Sequence, residues 1–364
     1  MPVSSKRPGS GAASGFPRRR STTTSAVVIT KPARDVARRH GTIPSVSALD
    51  VVLTPPQRER LRVHLGVPEL SGIELTGEGW HRFAVLAPDR VLLLPRSHRW
   101  VPGLDREAAA LPLLAAYDIP APRLLGRITD DEFWPYPVTV ISRYAARSWA
   151  AYENSADLVA VQRMLTGLGQ VIADCHSIPV SQVPESIAAP TPHSPDPFEA
   201  ELRHFVDYLE PGRVEKISYA LAEAAGLPGT RVDRWLEVIR PCLDLAPTLT
   251  HRDLNEGQIM IGADQQVIGL IDWESAGVQH PLSDFDFGEW GFGIFAWEAE
   301  FSTLRRAFWD SYARARGGDL PDWRAVHLLM TIIGAPPPEG LATAWTRRRR
   351  QLTVANLRQV DGLV

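Results

Sequence analysis

The stretch LTHRDLNEGQIMIGADQQVIGLIDWESAGVQHPLSDFD, residues Leu249–Asp286, decides the fold of this chain. Two short apolar runs, Ile259–Ile261 and Val267–Ile271, flank the polar segment GADQQ. This pattern is typical of a β-hairpin. Asp253 precedes the first run and Asp272 follows the second. The sequence therefore predicts a rigid hairpin with carboxylates just outside both of its ends.

The spacing of these polar residues is that of a phosphoryl-transfer site. Such a site needs a carboxylate that accepts or orients the proton of an attacking hydroxyl, and oxygen ligands that hold Mg²⁺ against nucleotide phosphates. Asp253 has the chemistry of the base, and Gln258 and Asp272 offer oxygen atoms to the metal. Alternatively, Asp253 and Asp272 are turn or cap residues, because aspartate favours such positions in general.

The same stretch resembles the catalytic and metal loops of the aminoglycoside phosphotransferase family through five residues: His251, Asp253, Gln258, Asp272 and Asp284. The run GLIDW at 269–273, followed by Asp284-Phe285, is similar to the macrolide phosphotransferase branch. Most of the family has Asn at position 258 and the macrolide branch has His. Glutamine keeps an amide oxygen for Mg²⁺, one methylene further out.

The resemblance implies an α+β, protein-kinase-like fold of two lobes, with a small antiparallel sheet in the first lobe and mainly helices in the larger second lobe. It also implies an enzyme that moves the γ-phosphoryl group of ATP or GTP to a hydroxyl of a small molecule, such as a macrolide or aminoglycoside antibiotic. Mg²⁺ would be held by Gln258 and Asp272, with Asp253 as the catalytic base.

Composition and length fit a globular protein of this size. Of 364 residues, 44% are apolar and 22% are charged, which is ordinary usage and enough chain for two lobes. No apolar run reaches the ~18 residues that a membrane span needs, so no membrane association is expected. Cys175 and Cys242 lack metal-type spacing and indicate buried thiols in a reducing compartment. We therefore expect a cytoplasmic protein without zinc.

Charge is distributed unevenly along the chain. The net charge is −3, but residues 1–40 hold nine basic residues and one acid, so the remaining chain carries −11. An acidic body favours a cationic small-molecule substrate over nucleic acid. The alternative is that the acidic residues serve solubility alone. The sequence makes no prediction of the oligomeric state.

The domain organisation follows from composition and from apolar periodicity. Residues 1–45 are rich in Ser, Thr, Gly, Pro and Arg and are expected to be disordered. Residues 46–143 are predicted to form the N-terminal nucleotide-binding lobe, and residues 144–364 the C-terminal catalytic and substrate lobe. A helix is predicted from Thr54 to Leu65. Five runs are then typical of strands: Ile73–Thr76, Arg82–Leu86, Arg90–Leu94, Pro122–Ile128 and Pro137–Ser142.

The nucleotide phosphates are expected to meet a glycine turn and a cation. Gly77 and Gly79 allow a close approach of backbone amides to phosphate, and the run LTGEGW around them resembles the opening loop of the family. The family usually has Lys or Arg at the position of Leu93. Because no lysine lies between residues 31 and 216, only an arginine could supply the charge, unless the glycine-loop amides and Mg²⁺ suffice. We predict Arg96, with Arg82 on the neighbouring strand as the alternative.

Three further residues are predicted to serve the nucleotide. Glu107, in a predicted helix over Leu104–Tyr117, is expected to pair with the phosphate-binding cation. Its alternative role is a first-turn acid favoured by the helix dipole. The family resemblance, rather than residue chemistry, suggests that Ser142 and Tyr144 form the hinge that contacts the nucleotide base.

The second lobe is predicted to contain helices over Asn154–Ile178, near Phe198–Leu209 and over Thr230–Ile239. Acids and tryptophans near the end of the central stretch either line a pocket for an amine-bearing acceptor or pack in the core: Asp286, Glu289, Trp290, Trp297 and Glu298.

Two other functions compete with an active small-molecule kinase. A nucleotide-binding protein without turnover is suggested by Leu93 and Gln258. A protein kinase is suggested by the run HRDL at 251–254, but Asp272 is followed by Trp273-Glu274 rather than by Phe-Gly. The active small-molecule kinase is preferred because the positions of the base and of both metal ligands keep oxygen atoms.

Overall fold

The computed structural model describes most of the chain after the first 47 residues. The described residues are 48–76, 81–152, 156–188, 209–285, 300–334, 351, 353–358 and 362. All of them belong to one compact unit, Val46–Val364. The predictions for residues 1–45, for Gly77 and Gly79, and for the acids and tryptophans between 286 and 298 therefore lie outside the described residues.

An antiparallel sheet follows two N-terminal helices, α1 (Ala48–Val52) and α2 (Pro55–Leu65). Its five strands are arranged in the order β1-β2-β3-β5-β4. Their bounds are β1 Glu74–Thr76, β2 Arg82–Leu86, β3 Arg90–Pro95, β4 Leu124–Ile128 and β5 Val138–Ser142. Each of these strands lies within or close to a run that the sequence predicts. The sheet forms because turn residues separate short β-branched and leucine-rich runs.

The two faces of the sheet pack against different parts of the protein, since successive side chains of a strand point to opposite faces. Leu92 and Leu94 of β3 belong to a buried cluster that includes Leu49 of α1 and Leu61 of α2. Leu93, between them, belongs to the larger core. One face of the sheet is therefore covered by the N-terminal helices, and the other face packs against the larger core.

Helix α2 shows how directly local signals set an element. The Thr54 backbone N–H donates to the Gln57 side chain at 2.9 Å, and Pro55 opens the first turn, where a missing N–H costs nothing. Gly66 ends the helix at φ 68°, a left-handed conformation that glycine adopts without steric cost. The predicted start and end of this helix are confirmed.

Helices dominate the remainder of the described chain. Their bounds are α3 Val101–Ala116, α4 Leu158–His176, α5 Glu185–Ala188, α6 Pro211–Ala225, α7 Thr230–Leu243, α8 Phe301–Arg316 and α9 Trp323–Ile333. Helices α4 and α8 pack so closely that a Cβ atom on Gly169 would lie 2.5 Å from the Phe308 carbonyl oxygen. Among the described residues, no helix combines the length and apolar composition needed to cross a membrane.

The sequence analysis missed α6, although its signals are present. Pro211 stands at the start of the helix, and Gly226 at φ 69° ends it. Val214, Leu221 and Ala225 are buried at helical spacing. Most of the predicted helix near Phe198–Leu209 lies outside the described residues.

Among the described residues, five short strands outside the five-stranded sheet position the candidate site. Strand β6 (Arg147–Ser148) pairs with β8 (Ile259–Ile261), which forms the predicted hairpin with β9 (Val267–Leu270). Strand β7 (Thr248–Thr250) pairs with β10 (Gly277–Gln279). The loop 251–258 thus connects two strand pairs, and Asp272 lies just beyond the end of β9.

Candidate active site

The loop that carries Asp253 is anchored through its backbone to one buried carboxylate. Asp284 lies in a short 3-10 helix, Pro281–Asp284, and is fully buried. Its Oδ2 accepts from the His251 backbone N–H at 2.8 Å, and its Oδ1 accepts from the Arg252 backbone N–H at 2.7 Å. Arg252 adopts a left-handed backbone, φ 72°, so the chain turns sharply there. Asp284 therefore fixes the course of the loop just before Asp253.

Side chains hold the same loop from two other directions. Nε2 of the buried His176, the last residue of α4, lies 3.1 Å from Asp284 Oδ2, and its Nδ1 lies 3.0 Å from the Tyr312 hydroxyl. His251 donates from Nε2 to the Ile271 carbonyl oxygen at 2.9 Å, which joins the loop to the end of β9. His176 therefore supports the loop anchor.

Asp253 is oriented by Gln258. The Gln258 amide donates from Nε2 to Asp253 Oδ2 at 3.1 Å, and its Oε1 accepts from the Asn255 backbone N–H at 2.8 Å. Because Oε1 faces an N–H donor, the orientation of this amide is fixed by its surroundings. Burial raises the pKa of Asp253, and the nearby charge of Asp272 adds to that rise. A carboxylate with a raised pKa is a stronger proton acceptor.

The residues predicted to hold Mg²⁺ have suitable chemistry. Asp272 adopts a left-handed backbone, φ 73°, immediately after β9, and its side chain is 26% exposed. Gln258 offers an amide oxygen that has a second lone pair besides the one used by Asn255. Mg²⁺ bound to a nucleotide takes one or two protein ligands and completes its shell with phosphate and water. The donor set fits this ion, and the roles of Gln258 and Asp272 as its ligands stay predictions.

A metal site formed by protein side chains alone would need several ligand groups close together. In the part of the chain that the structure describes, no group of three or more His, Cys, Asp or Glu side chains is arranged to hold an ion.

A cluster of ions, which we call the Arg82 cluster, lies between the sheet and the end of β9. Arg82 NH1 is 3.0 Å from Glu107 Oε2 and 2.9 Å from Glu274 Oε2, and its NH2 is 2.6 Å from Asp272 Oδ1. Glu274 also accepts from His81 Nδ1 at 2.6 Å. The structure therefore gives Glu107 an arginine partner, and this partner comes from β2.

The single positive charge of one guanidinium cannot neutralise three carboxylates. The pKa values of Glu107 and Glu274 shift in opposite directions. Burial raises the pKa of the fully buried Glu107 to about 7, although the Arg82 charge opposes the rise. Burial also acts to raise the pKa of Glu274, but Arg82 and His81 outweigh it and the pKa is lowered. Burial thus favours the neutral form of Glu107, whereas its neighbours favour the charged form of Glu274.

The other predicted cation, Arg96, lies elsewhere. It follows the end of β3, is exposed, and places its guanidinium 4.2 Å from the centre of the Phe83 ring. Phe83 pairs with Leu94 of the neighbouring strand. Phe83, Leu94 and Arg96 therefore lie on the face of the sheet opposite Leu93. A role of Arg96 in nucleotide binding stays a prediction.

The predicted hinge is tied to both neighbouring strands. The Ser142 hydroxyl accepts from the Arg123 backbone N–H at 2.8 Å. Tyr144 lies against β9, where a Cβ atom on Gly269 would be 2.3 Å from the Tyr144 hydroxyl oxygen. Burial raises the pKa of Tyr144 to about 12. Their contacts with a nucleotide base stay predictions.

The sequence named Arg82 only as the alternative cation and expected Glu107 to pair with whichever cation serves, although counting the hairpin register would have favoured Arg82. Ala87 donates to the Arg90 carbonyl oxygen across the β2–β3 turn, and this register sets Arg82 opposite Pro95. Pro95 lies two residues from Leu93 and therefore on the same face. Glu274 and His81 carried no signal in the sequence, because their contacts depend on how distant segments meet.

Comparison with known proteins agrees with this geometry. The model of a family described as the phosphotransferase enzyme family matches residues 73–329. The GDP complex of wild-type aminoglycoside 2'-phosphotransferase-IIIa superposes with a TM-score of 0.50 at 15% identity, over 85% of this chain and 99% of that one. Macrolide 2'-phosphotransferase MphH from Brachybacterium faecium gives 0.46 at 17% identity, over 82% and 96%.

The extent of the family match decides the assignment, because it spans most of the chain and includes the sheet, the anchored loop and the Arg82 cluster. The first superposition shows the fold and confirms the α+β, protein-kinase-like architecture predicted from the sequence. The chain therefore belongs to the phosphotransferase enzyme family and is a small-molecule kinase.

Proposed function

We propose that this enzyme moves the γ-phosphoryl group of ATP or GTP to a hydroxyl of an amine-bearing small molecule, of the macrolide or aminoglycoside class. The observation that supports it most is the arrangement at the ends of one hairpin. Asp253, oriented by Gln258 at 3.1 Å, precedes β8, and Asp272, bonded to Arg82 at 2.6 Å, follows β9. A base for the acceptor and a ligand for the donor side are thereby held on one rigid element.

In the proposed reaction Asp253 takes the proton of the acceptor hydroxyl. The hydroxyl oxygen forms a bond to the γ-phosphorus as the bond from that phosphorus to the β-γ bridging oxygen breaks, and a nucleoside diphosphate leaves. The raised pKa of Asp253 suits it to hold this proton. Little covalent chemistry falls to the protein in such a transfer, so positioning and charge dominate.

Gln258 and Asp272 would hold Mg²⁺, which when bound neutralises charge on the phosphates. Gln258 has a second task in this proposal. Its Nε2 donates to one oxygen of Asp253, and this contact directs the other oxygen toward the acceptor. Leu254, which is 7% exposed, follows Asp253 into the core and limits movement of the base.

The acceptor class rests on charge and likeness together. After its first 40 residues the chain carries a net charge of −11, which favours a cationic acceptor. The motif GLIDW at 269–273 resembles the macrolide branch, and the superposed solved structure is named as an aminoglycoside 2'-phosphotransferase. Both antibiotic classes present hydroxyls beside amines.

A nucleotide-binding protein without turnover is the second candidate, and the Gln258 geometry favours it. The amide turns its nitrogen toward Asp253 and engages its oxygen with the Asn255 N–H. If that arrangement persisted with nucleotide bound, Gln258 would serve the base and contribute less to the metal.

One experiment separates the two candidates. The purified chain would be incubated with Mg²⁺, ATP or GTP, and a panel of macrolides and aminoglycosides, and the products would be analysed by mass spectrometry. The proposal expects a product that gains one phosphoryl group, and none with the Asp253→Asn variant. Nucleotide binding by calorimetry without any phosphorylated product across the panel would favour the second candidate.

A further inference from the structure

We propose that Arg82 is the residue that binds the phosphates of the donor nucleotide, so that β2 supplies the cation that the family usually places on β3. This inference rests on the proposed function, because it assumes a nucleoside triphosphate as donor. It adds a donor-binding residue and explains how the chain functions with Leu93 in place of a cation.

Strand geometry brings Arg82 to the place that a cation at position 93 would serve. In the β2–β3 register, Ala84 lies opposite Leu93 and Arg82 lies opposite Pro95. Arg82 and Leu93 therefore project from the same face, as diagonal neighbours, whose Cα atoms lie about 7–8 Å apart. An arginine side chain spans that distance. Supplying the cation from position 82 instead of position 93 therefore requires no change in the backbone.

The partners of Arg82 are those expected of a phosphate-binding cation. It contacts Glu107 of α3 and Asp272 after β9, which are the predicted partner acid and the predicted metal ligand. A cation between these two carboxylates lies where donor phosphates must pass if Asp272 holds the nucleotide's Mg²⁺. Arg96, by contrast, is stacked on Phe83 at the opposite face.

The donor atoms of Arg82 allow it to keep the cluster together and bind phosphate as well. A guanidinium has five N–H donors, and the contacts with Glu107, Glu274 and Asp272 use three of them. Arginine binds phosphate through pairs of N–H groups in a fixed plane. The side chain is 14% exposed, so its head group is held in place before the nucleotide arrives.

Position 93 itself is unsuited to a charge in this chain. Leu93 is 3% exposed and belongs to the larger apolar core together with Leu104 and Leu111 of α3. A buried cation there would need a carboxylate partner, and Glu107 is already engaged by Arg82. The leucine at 93 and the arginine at 82 are thus complementary parts of one arrangement.

The test compares binding of a triphosphate with binding of its nucleoside, since the nucleoside lacks phosphates but uses the same base and sugar contacts. Calorimetry on the full chain with Mg²⁺ would use ATP with adenosine and GTP with guanosine. For Arg82→Gln we expect triphosphate affinity to fall about tenfold or more, the usual effect of losing a charged hydrogen bond, while nucleoside affinity stays unchanged.

Loss of Arg82 leaves Glu107, Asp272 and Glu274 close together, so the single variant could misfold. The variant carrying both Arg82→Gln and Glu107→Gln removes one carboxyl group together with the guanidinium and provides the same test. A matched control is Arg127→Gln, because Arg127 of β4 pairs with Asp105 of the same helix α3 but at the surface. We expect the control to change triphosphate affinity by less than about twofold.

Three results would overturn the inference. Equal losses of triphosphate and nucleoside affinity would give Arg82 a purely structural role, as would wild-type triphosphate affinity in the double variant. A selective loss of triphosphate binding in Arg96→Ala, with none in Arg82→Gln, would assign the phosphates to Arg96. If the wild-type chain binds neither triphosphate, the proposed function fails first, and that result is distinct from all three.

Discussion

The anchored loop and the Arg82 cluster hold their charged groups in different ways. In the loop, Asp284 binds the backbone N–H groups of His251 and Arg252 at 2.8 and 2.7 Å, so the position of Asp253 is set by the main chain. In the Arg82 cluster, long side chains converge from β2, from α3 and from the end of β9. Backbone anchoring ties a function to one position in the sequence, whereas a charge at the end of a long side chain can come from several positions.

The difference explains why the family resemblance located Asp253 and Asp284 but left the cation uncertain. The loop residues stand at the sequence positions where the family motif has the corresponding residues. The cation has to be sought among side chains that reach the same point from one sheet face. Variants on each side of this difference are expected to have effects of different size.

The largest effect is expected from Asp253→Ala. Removing a general base typically costs a factor of about 10² to 10⁴ in rate, and kcat should fall by this amount while nucleotide affinity changes little. Steady-state kinetics and calorimetry on the same preparation would measure both. Asp264→Ala, in the turn of the same hairpin where Asp264 accepts from the Gln266 N–H at 3.1 Å, is the control. Retention of most of the kcat by Asp253→Ala would remove Asp253 from the mechanism.

Asp284→Ala is expected to lower both stability and rate. It would leave two buried backbone N–H groups and His176 without their acceptor, and each unsatisfied group costs about 1–3 kcal/mol. We expect the unfolding free energy to fall by about 3 kcal/mol in urea titrations. Asp284→Asn keeps one oxygen acceptor and should lose less. An Ala variant as stable as the wild type would show that the loop does not depend on this anchor.

Asp272→Ala should act on the donor side without disturbing the loop. A metal site that loses a ligand is expected to lose at least the roughly 10–100-fold in affinity seen on removing a supporting residue. The ratio of nucleotide affinities with Mg²⁺ and with a chelator should therefore approach one in this variant. Calorimetry in both buffers would measure it. An unchanged dependence on Mg²⁺ would contradict the assignment of Asp272 as a ligand.

The smallest effect concerns pH and the helix that carries Asp284. His280 precedes this helix, its Nδ1 accepts from the Leu282 N–H at 3.2 Å, and its Nε2 donates to the Cys242 carbonyl oxygen at 3.0 Å. Burial lowers the pKa of His280 to about 4 from an ordinary 6.5. Because the unfolded chain takes up this proton first, the unfolding free energy should decrease as pH falls from 6.5 toward 4.

His280→Asn isolates that contribution. Between pH 7 and pH 5 the wild type should lose about 1–2 kcal/mol more unfolding free energy than the variant. Urea titrations at the two pH values would measure the difference. Parallel losses in both proteins would show that His280 does not titrate in this range.

Local patterns predicted much of the fold. The hairpin around residues 262–266 and helix α2 follow from apolar runs bounded by turn residues, which act over a few positions along the chain. The register of β2 and β3 was also accessible from the length of the turn at residues 87–89. These features need no knowledge of how distant segments meet.

The Arg82 cluster needed three-dimensional information. Glu274 meets His81 across 193 residues of sequence, and no local pattern encodes such a contact. The orientation of Gln258 was equally inaccessible, since whether the amide turns its oxygen or its nitrogen toward Asp253 depends on the Asn255 backbone. Sequence therefore identified the chemistry of the site, while the pairing of its charges came from the structure.

The anchoring of the loop also has a consequence for its motion. The amides of His251 and Arg252 are bonded to a fully buried carboxylate, so their hydrogens should exchange with solvent only when the core opens, on a much slower timescale than surface loops. The proposed base, Asp253, directly follows these amides, so its backbone should move little to follow acceptors of different shape. Any breadth in the acceptors that this enzyme modifies must then come from movement of other segments around a stationary Asp253.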